Sequence, residues 1–314
     1  MKTLDIVVPF LNERENLPIM LERVTKTLVS ENIEWRILFV DDGSSDGSTQ
    51  WVAETAKSNP HVVLLRLSRN FGHQIAITAG MDYSRADAVV IIDADLQDPP
   101  EVIPELLARW REGNEVVYAV RKSREGETWL KKFLAASFYR VFHSLSKVNV
   151  PMDTGDFRLV DRKVIETLRE VRELHRFMRG LTCWVGFRQC AVYYERAARH
   201  AGVTKYPVWK SVRLALDAVT SFSGAPLRWV TGTGFAVSFI GALWILMIII
   251  RRLINPAGFE PGWTTIVAII VFIGGIQLIS IGMVGQYVSR IYEESKRRPL
   301  YILHEVIDAK SNER

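Results

Sequence analysis

Beyond residue 229 the chain almost stops using charge. Thr231–Ile250 runs for 20 residues and Trp263–Ser289 for 27 without an Asp, Glu, Lys or Arg. A helix needs about 20 apolar residues to cross a bilayer, so each run is long enough, and the second has length to spare for tilt. Arg251 and Arg252 close the first run, and the turn-rich connector NPAGFEPG leads into the second. Trp229, Trp244, Trp263 and Tyr287 include aromatic residues at the depths expected of membrane interfaces. Two buried helices of a soluble protein rarely reach this length side by side without a charge, so two membrane spans are expected. Arg228, Arg290, Lys296, Arg297 and Arg298 flank them on one side, against Arg251 and Arg252 in the connector. That balance places the large N-terminal part and the tail in the cytoplasm. The tail carries YILHEVI, a strand-forming stretch able to pair with the soluble part.

The average composition, 48% hydrophobic and 24% charged, conceals this division. A net charge of +5 without an aromatic-rich basic module excludes nucleic acid as the expected partner. An anionic membrane surface or anionic substrate fits better. Cys183 and Cys190 make neither a disulfide framework nor a four-ligand zinc spacing, and both are expected buried and reduced. The N-terminal MKTLDIVVPF has too short an apolar run, and no small-residue cleavage site, for a secretory signal.

The first 229 residues alternate strand and helix. Leu4–Phe10 is a strand followed by Asn12 and Glu13, then by a helix over about Glu15–Val29. Trp35–Val40 is a second strand, ending at Asp41 and Asp42 before GSSDGST and a helix near Thr49–Lys57. Val62–Leu67 follows, then NFGHQIAITAGMDYS as loop and helix. Val89–Ile92 is short, β-branched and uncharged, as in a strand buried on both faces of a parallel sheet. It runs into Asp93 and Asp95, and Pro99 and Pro100 block any continuation. Two carboxylates at the C-terminal edge of such a strand lie where open α/β sheets bind ligands, and they suit a divalent cation shared with substrate phosphates. A capping role for Asp95 is the plainer alternative. Asp41 and Asp42 suit hydrogen bonds to a ribose or base, or the capping of their own turn.

Glu115–Val120 delivers Arg121 at its end. From Trp129 to Val148 apolar residues recur at helical spacing with Lys131, Lys132, Arg140 and Lys147 between them, the pattern of a basic amphipathic helix packed on the sheet or lying in a membrane surface. In MDTGDFRLV, Gly155 permits a tight turn between Asp153 and Asp156, so a ligand-facing acidic loop is expected, with Asp156 as general base or orienting group. Val164–Glu173 reads as helix, and FMRGLTCWVGF with QCAVYYE as hydrophobic, strand-like core. A basic segment around Arg196, Arg199, His200, Lys205, Lys210 and Arg213 follows, suited to a solvated linker, anionic lipid or a phosphate. Val208–Phe222 forms a second surface helix.

In this order VVPFLNE, VDDGSSDGS, RNFGHQ, DADLQDPP, DTGDFRL and RHAGVTKY resemble family 2 glycosyltransferases, specifically the polyprenyl-phosphate group similar to dolichol-phosphate mannose synthase. The paired C-terminal runs are similar to those of bacterial bactoprenol glucosyltransferases. The resemblance implies an α/β GT-A fold: a Rossmann-like, largely parallel sheet with helices on both faces, followed by two transmembrane helices. It divides the chain into a catalytic domain (1–205), a basic amphipathic membrane-surface segment (206–229), a first span (230–252), a connector (253–262), a second span (263–289) and a cytoplasmic tail (290–314).

It implies a nucleotide-sugar pocket lined by Pro9, Asn12, Glu13, Asp41 and Asp42, with Asp93, Asp95 and Gln97 holding Mg²⁺ or Mn²⁺ against the diphosphate. Asp156, Asp95 and Arg121 are the implied catalytic residues. Arg121, Lys132, Ser137, Arg140, Arg199 and Lys205 would meet the acceptor phosphate or leaving diphosphate. The implied reaction is inverting transfer of a hexose, glucose from UDP-glucose by this likeness, to undecaprenyl phosphate at the cytoplasmic membrane face. Membrane lipid is an implied partner, and assembly into a homo-oligomer is left open. A processive polysaccharide synthase is the nearest rival, but its QxxRW motif is reduced to APLRW at Ala225–Trp229, without the glutamine. A non-catalytic membrane sensor of nucleotide-sugar or lipid is the other.

Overall fold

A computed structural model describes residues 1–121, 154–174, 176–195, 225–254 and 262–309. The strands are β1 (Thr3–Phe10), β2 (Glu34–Asp41), β3 (Val62–Leu67), β4 (Ala88–Ile91), β5 (Val116–Arg121), β6 (Thr154–Asp161), β7 (Gln189–Tyr194) and β8 (Leu303–Asp308). They form one sheet in the order β7-β5-β6-β4-β1-β2-β3-β8. The helices are α1 (Asn16–Leu28), α2 (Ser48–Ser58), α3 (His73–Tyr83), α4 (Ile103–Arg111), α5 (Arg162–Glu170), α6 (Met178–Trp184), α7 (Ala225–Ile254) and α8 (Trp263–Ser295).

Helices cover both faces of the sheet. Leu4, Ile6 and Val8 of β1 share one face by the two-residue period of a strand, and they join a core with Leu17, Met20, Val24 and Leu28 of α1. Those four recur at one-turn spacing, and burying each contributes about 1.5–3 kcal/mol. Val7, between them in sequence, meets α3, where Gly80 lets the helix close on the sheet. A Cβ there would come 2.5 Å from Val7 Cγ1 and 3.1 Å from Val40 Cγ2.

The sheet is mixed. β1 pairs in parallel with β2 and β4, β2 with β3, and β5 with β7. The pairs β4–β6, β5–β6 and β3–β8 are antiparallel, which corrects the largely parallel sheet expected from strand–helix alternation. Alternation is blind to the direction of a strand reached by a long connection, and β6 is reached from β5 that way. Two further expectations fail. Thr154–Asp161 is a strand rather than a turn around Gly155, and Met178–Trp184 is helical rather than strand-like. Cys183 and Cys190 are free thiols, half-buried rather than buried.

β8 closes the β3 edge, with Leu64 opposite Ile307 and Arg66 opposite Glu305. Tyr301 donates to Asp82 Oδ2 at 3.1 Å, and Arg36 lies 3.7 Å from Asp308 while also pairing with Asp5. The chain falls into two units, Met1–Arg213 with Pro299–Arg314, and Leu214–Arg298. In the second unit α7 has 30 residues and α8 has 33. Among the described residues one stretch, Phe272–Ser295, is long and apolar enough to cross a membrane, and the apolar stretch Val230–Gly241 is shorter. The amphipathic helix expected over 129–148 and the surface helix over 208–222 lie outside the described residues.

Candidate active site

β4 stops at Ile91, and the next residues alternate in burial. Asp93, Asp95 and Gln97 are partly exposed, while Ala94, Leu96 and Asp98 are buried. Ala94 and Leu96 join the main core, so apolar anchoring fixes where the polar residues between them sit. Leu96 adopts φ 59°, a left-handed conformation costly for a bulky side chain and held by its surroundings. Asp95 Oδ1 accepts the Gln97 backbone N–H at 3.1 Å.

His73, at the start of α3, stands between two carboxylates. Its Nε2 lies 3.3 Å from Asp93 Oδ1 and 3.3 Å from Asp156 Oδ2 on β6. Burial lowers the imidazole's pKa, but the hydrogen bond to Asp156 and the charges of Asp93 and Asp156 outweigh it, and the result is raised to about 9. Burial pushes the Asp93 carboxyl up to about 6, against the pull of His73. Asp156 goes the other way. Burial would raise its pKa, but Arg179 and His73 hold it well below the usual carboxylate range.

Asp156 is surrounded by donors. Gln74 Nε2 donates to Oδ2 at 3.1 Å, and Arg179 of α6 donates from Nε to Oδ1 at 2.9 Å and from Nη2 to Oδ2 at 3.3 Å. Gln74 also accepts the Met178 backbone N–H at 2.9 Å, tying the start of α6 to α3. The buried Arg158, two residues along β6, donates to Gly155 O at 2.8 Å and to Thr182 of α6.

A second network sits beside it. Tyr194 of β7 donates its hydroxyl to the fully buried Asp98 and accepts from Arg121 Nε at 3.3 Å. Arg121 Nη2 lies 3.8 Å from Asp98 Oδ1. Gly155 makes room for this guanidinium, since a Cβ there would come 3.0 Å from Arg121 Nη2. The strand glycine therefore serves a close approach, not a turn.

The loops after β1 and β2 are knitted together by the residues expected at the nucleotide. Asn12 donates its backbone N–H to Ser44 Oγ at 3.0 Å and accepts from Ser45 N at 2.8 Å. Glu13 donates its N–H to Ser48 Oγ at 3.1 Å and accepts from Asn16 at 2.6 Å. Asp41 is fully buried and accepts from Ser44 N at 2.8 Å and Thr49 Oγ1 at 2.6 Å. Asp42 accepts the backbone N–H groups of Phe71 at 2.7 Å and Gly72 at 3.0 Å, which fixes the loop leading to His73. Pro9 lies in β1 opposite Val40.

The residues present suit a divalent cation. Asp93 Oδ1 accepts no hydrogen bond and has His73 Nε2 3.3 Å away, so a metal ion there would compete with the imidazole for this buried oxygen. Among the described residues no group of three or more His, Cys, Asp or Glu side chains forms a metal cage. A hard cation at Asp93 and Asp95 would share its coordination with a ligand's oxygens.

A profile described as Glycosyl transferase family 2 matches residues 5–169, more than half of the chain. The chain belongs to glycosyl transferase family 2. Its relatives extend past that domain. The uncharacterized glycosyltransferase YkcC of Bacillus subtilis (strain 168) is 45% identical over 298 residues, 95% of this chain and 92% of the relative. The bactoprenol glucosyl transferase of Shigella phage SfV is 41% identical over 302 residues, covering 96% and 97%. The prophage bactoprenol glucosyl transferase homolog of Escherichia coli (strain K12) is 39% identical over 303 residues, covering 96% and 99%. Among solved structures, mannosyl-3-phosphoglycerate synthase from Rubrobacter xylanophilus is 19% identical with a TM-score of 0.49, over 74% of this chain and 75% of that one.

For this family 2 glycosyltransferase, the structure gathers Asp93, Asp156 and His73 at one place and Arg121 beside Gly155. Lys132, Ser137, Arg140, Arg199 and Lys205 lie outside the described residues. His73, Gln74, Arg179, Asp98 and Tyr194 were not singled out by sequence. RNFGHQ flagged the first two as a motif without a role, and Arg179 was hidden in an otherwise apolar stretch.

Proposed function

We propose that this glycosyltransferase moves glucose from UDP-glucose to the phosphate of undecaprenyl or a similar polyprenyl phosphate, with inversion, at the cytoplasmic face of a membrane it spans twice through α7 and α8. The observation that carries this reading is the extent of the likeness. Relatives named bactoprenol glucosyl transferase match 96% of the chain, helices α7 and α8 included, where a soluble enzyme of the family would match the sheet domain alone. A polyprenyl chain resists leaving the bilayer by about 0.8 kcal/mol per CH₂, so the enzyme must work at the lipid surface.

The acceptor phosphate is already an anion near neutral pH. A lone pair on its oxygen forms the new bond to the anomeric carbon as the bond to the diphosphate oxygen breaks, the electron pair leaving on UDP. No proton changes hands, so no strong base is needed, and an α-linked donor gives a β-linked product. Pro9, Asn12, Glu13, Asp41 and Asp42 shape the nucleoside side. Asp93 and Asp95, with Gln97, would hold Mg²⁺ or Mn²⁺, which supplies Lewis-acid neutralisation of the leaving diphosphate when bound. Arg121, held by Tyr194 and Asp98, offers a fixed cation to a phosphate. Lys132, Arg140, Arg199 and Lys205 add further cations for the phosphates, and Ser137 a hydroxyl donor.

The test uses the full chain in lipid nanodiscs with radiolabelled UDP-glucose. UDP release and organic-soluble label should both require polyprenyl phosphate and be lost in EDTA. Donor hydrolysis indifferent to the lipid would overturn the reading.

A further inference from the structure

Asp156 is the residue of the DTGDFR motif that a base would occupy, yet the carboxylate is enclosed. Its side chain is 5% exposed and both oxygens are engaged, by His73, Gln74 and a two-point contact from Arg179. Two cations of the cluster reach outward, His73 with its side chain 41% exposed and Arg179 with 31%, and of the two Arg179 carries the forked guanidinium. α6 has seven residues and is fastened on either side of Arg179, at Met178 by Gln74 and at Thr182 by Arg158. A guanidinium gripped by two hydrogen bonds to a fixed carboxylate loses less entropy when it meets a second anion, such as two oxygens of a phosphate.

We infer that Arg179 is the catalytic residue that contacts the acceptor phosphate, and that Asp156 is its positioning residue, fixing the guanidinium rather than accepting a proton. This rests on the polyprenyl-phosphate reading above. The assignment to the acceptor follows from charge. The diphosphate has the Asp93–Asp95 site for its counter-ion, whereas Arg179 grips Asp156, at the end of the cluster that His73 links to Asp93. A phosphate brought there meets a cation without competing for the metal's carboxylates.

The experiment compares full-length wild type, Arg179→Ala, Arg179→Lys and Asp156→Asn in nanodiscs, with undecaprenyl phosphate and UDP-glucose each varied. Loss of a charge-assisted contact should raise the acceptor KM or lower kcat over acceptor KM by about 10- to 100-fold in Arg179→Ala. Mn²⁺-dependent UDP binding should stay within about threefold of wild type, which also reports that the domain is folded. Added methylguanidinium should restore part of the Arg179→Ala rate, and Arg179→Lys should recover less than the full effect because the fork is lost. Asp156→Asn should lower the rate while the acidic limb of the pH–rate profile keeps its position. Three results would each overturn the inference: an unchanged acceptor KM and rate in Arg179→Ala, an equal loss of UDP binding in that variant, or disappearance of the acidic limb in Asp156→Asn. Absence of polyprenyl-dependent turnover in wild type would instead sink the functional reading.

Discussion

Nε2 of His73 lies 3.3 Å from Oδ1 of Asp93, so the carboxylate proposed to take a divalent cation already faces an imidazole. With His73 raised to about 9 and Asp93 to about 6, a proton on either group opposes the cation. Below pH 6 Asp93 is protonated. Between 6 and 9 Asp93 is ionised but shares its field with an imidazolium. Apparent Mn²⁺ affinity should therefore rise with pH across both intervals, by up to about tenfold per unit for each proton displaced. His73→Gln should lose the imidazole's own step approaching 9 and move the carboxylate's rise above pH 6, because the pull of His73 on Asp93 is gone. Electron paramagnetic resonance titration of free Mn²⁺ at fixed pH measures both, and a pH profile of affinity identical to wild type in the variant refutes the competition.

Asp95→Asn removes the neighbouring carboxylate while preserving its shape. Metal-dependent turnover should fall by at least about 100-fold, and the protein should remain in the membrane fraction after alkaline extraction. Retained activity would take Asp95 out of the site.

Tyr194→Phe deletes the hydroxyl between Arg121 and the buried Asp98. Leaving Asp98 short of a donor should lower stability by about 1–3 kcal/mol and loosen Arg121. Gly155→Ala approaches the same guanidinium from the other side, where only the end of a flexible side chain must move. Its unfolding midpoint should stay near wild type while kcat drops. A kcat equal to wild type would show that Arg121 does not act from the position it holds over Gly155.

Gly80→Ala probes the seat of α3. The new Cβ would fall 2.5 Å from Val7 Cγ1, inside a fully buried layer, so α3 or β1 must shift. Overpacking of this kind costs about 1–3 kcal/mol, and because His73 begins the same helix, the metal titration should weaken in step. A chemical denaturation curve shifted by less than about 0.5 kcal/mol would argue against the close contact.

The elements that sequence placed well carry their information locally. β4 is an uncharged β-branched run stopped by acids and prolines, and α1 repeats Leu17, Met20, Val24 and Leu28 at helical spacing. What escaped was long-range. Nothing in RNFGHQ says that His73 will face an aspartate 83 residues away, nor does an arginine amid FMRGLTCWVGF announce that it will grip that same carboxylate. Gly155 misled for a related reason. A glycine in sequence signals either backbone freedom or missing bulk, and only Arg121 overhead tells them apart. Strand direction is likewise absent from periodicity, which is why β6 was not expected to run against its neighbours.

The antiparallel seam between β3 and β8 turns membrane insertion into a question of parity. Val63 to Leu67 lie before the helical unit in the chain and Leu303 to Asp308 after it, yet their backbones share one ladder. A segment on the far side of a bilayer cannot join that ladder. The two-span reading proposed above gives an even number of crossings between the two strands, as this ladder requires, whereas a crossing by α8 alone would part β8 from β3. On that reading, deleting α7 while keeping α8 would put the tail across the bilayer from the sheet, expose the β3 edge and cost the sheet its outermost strand.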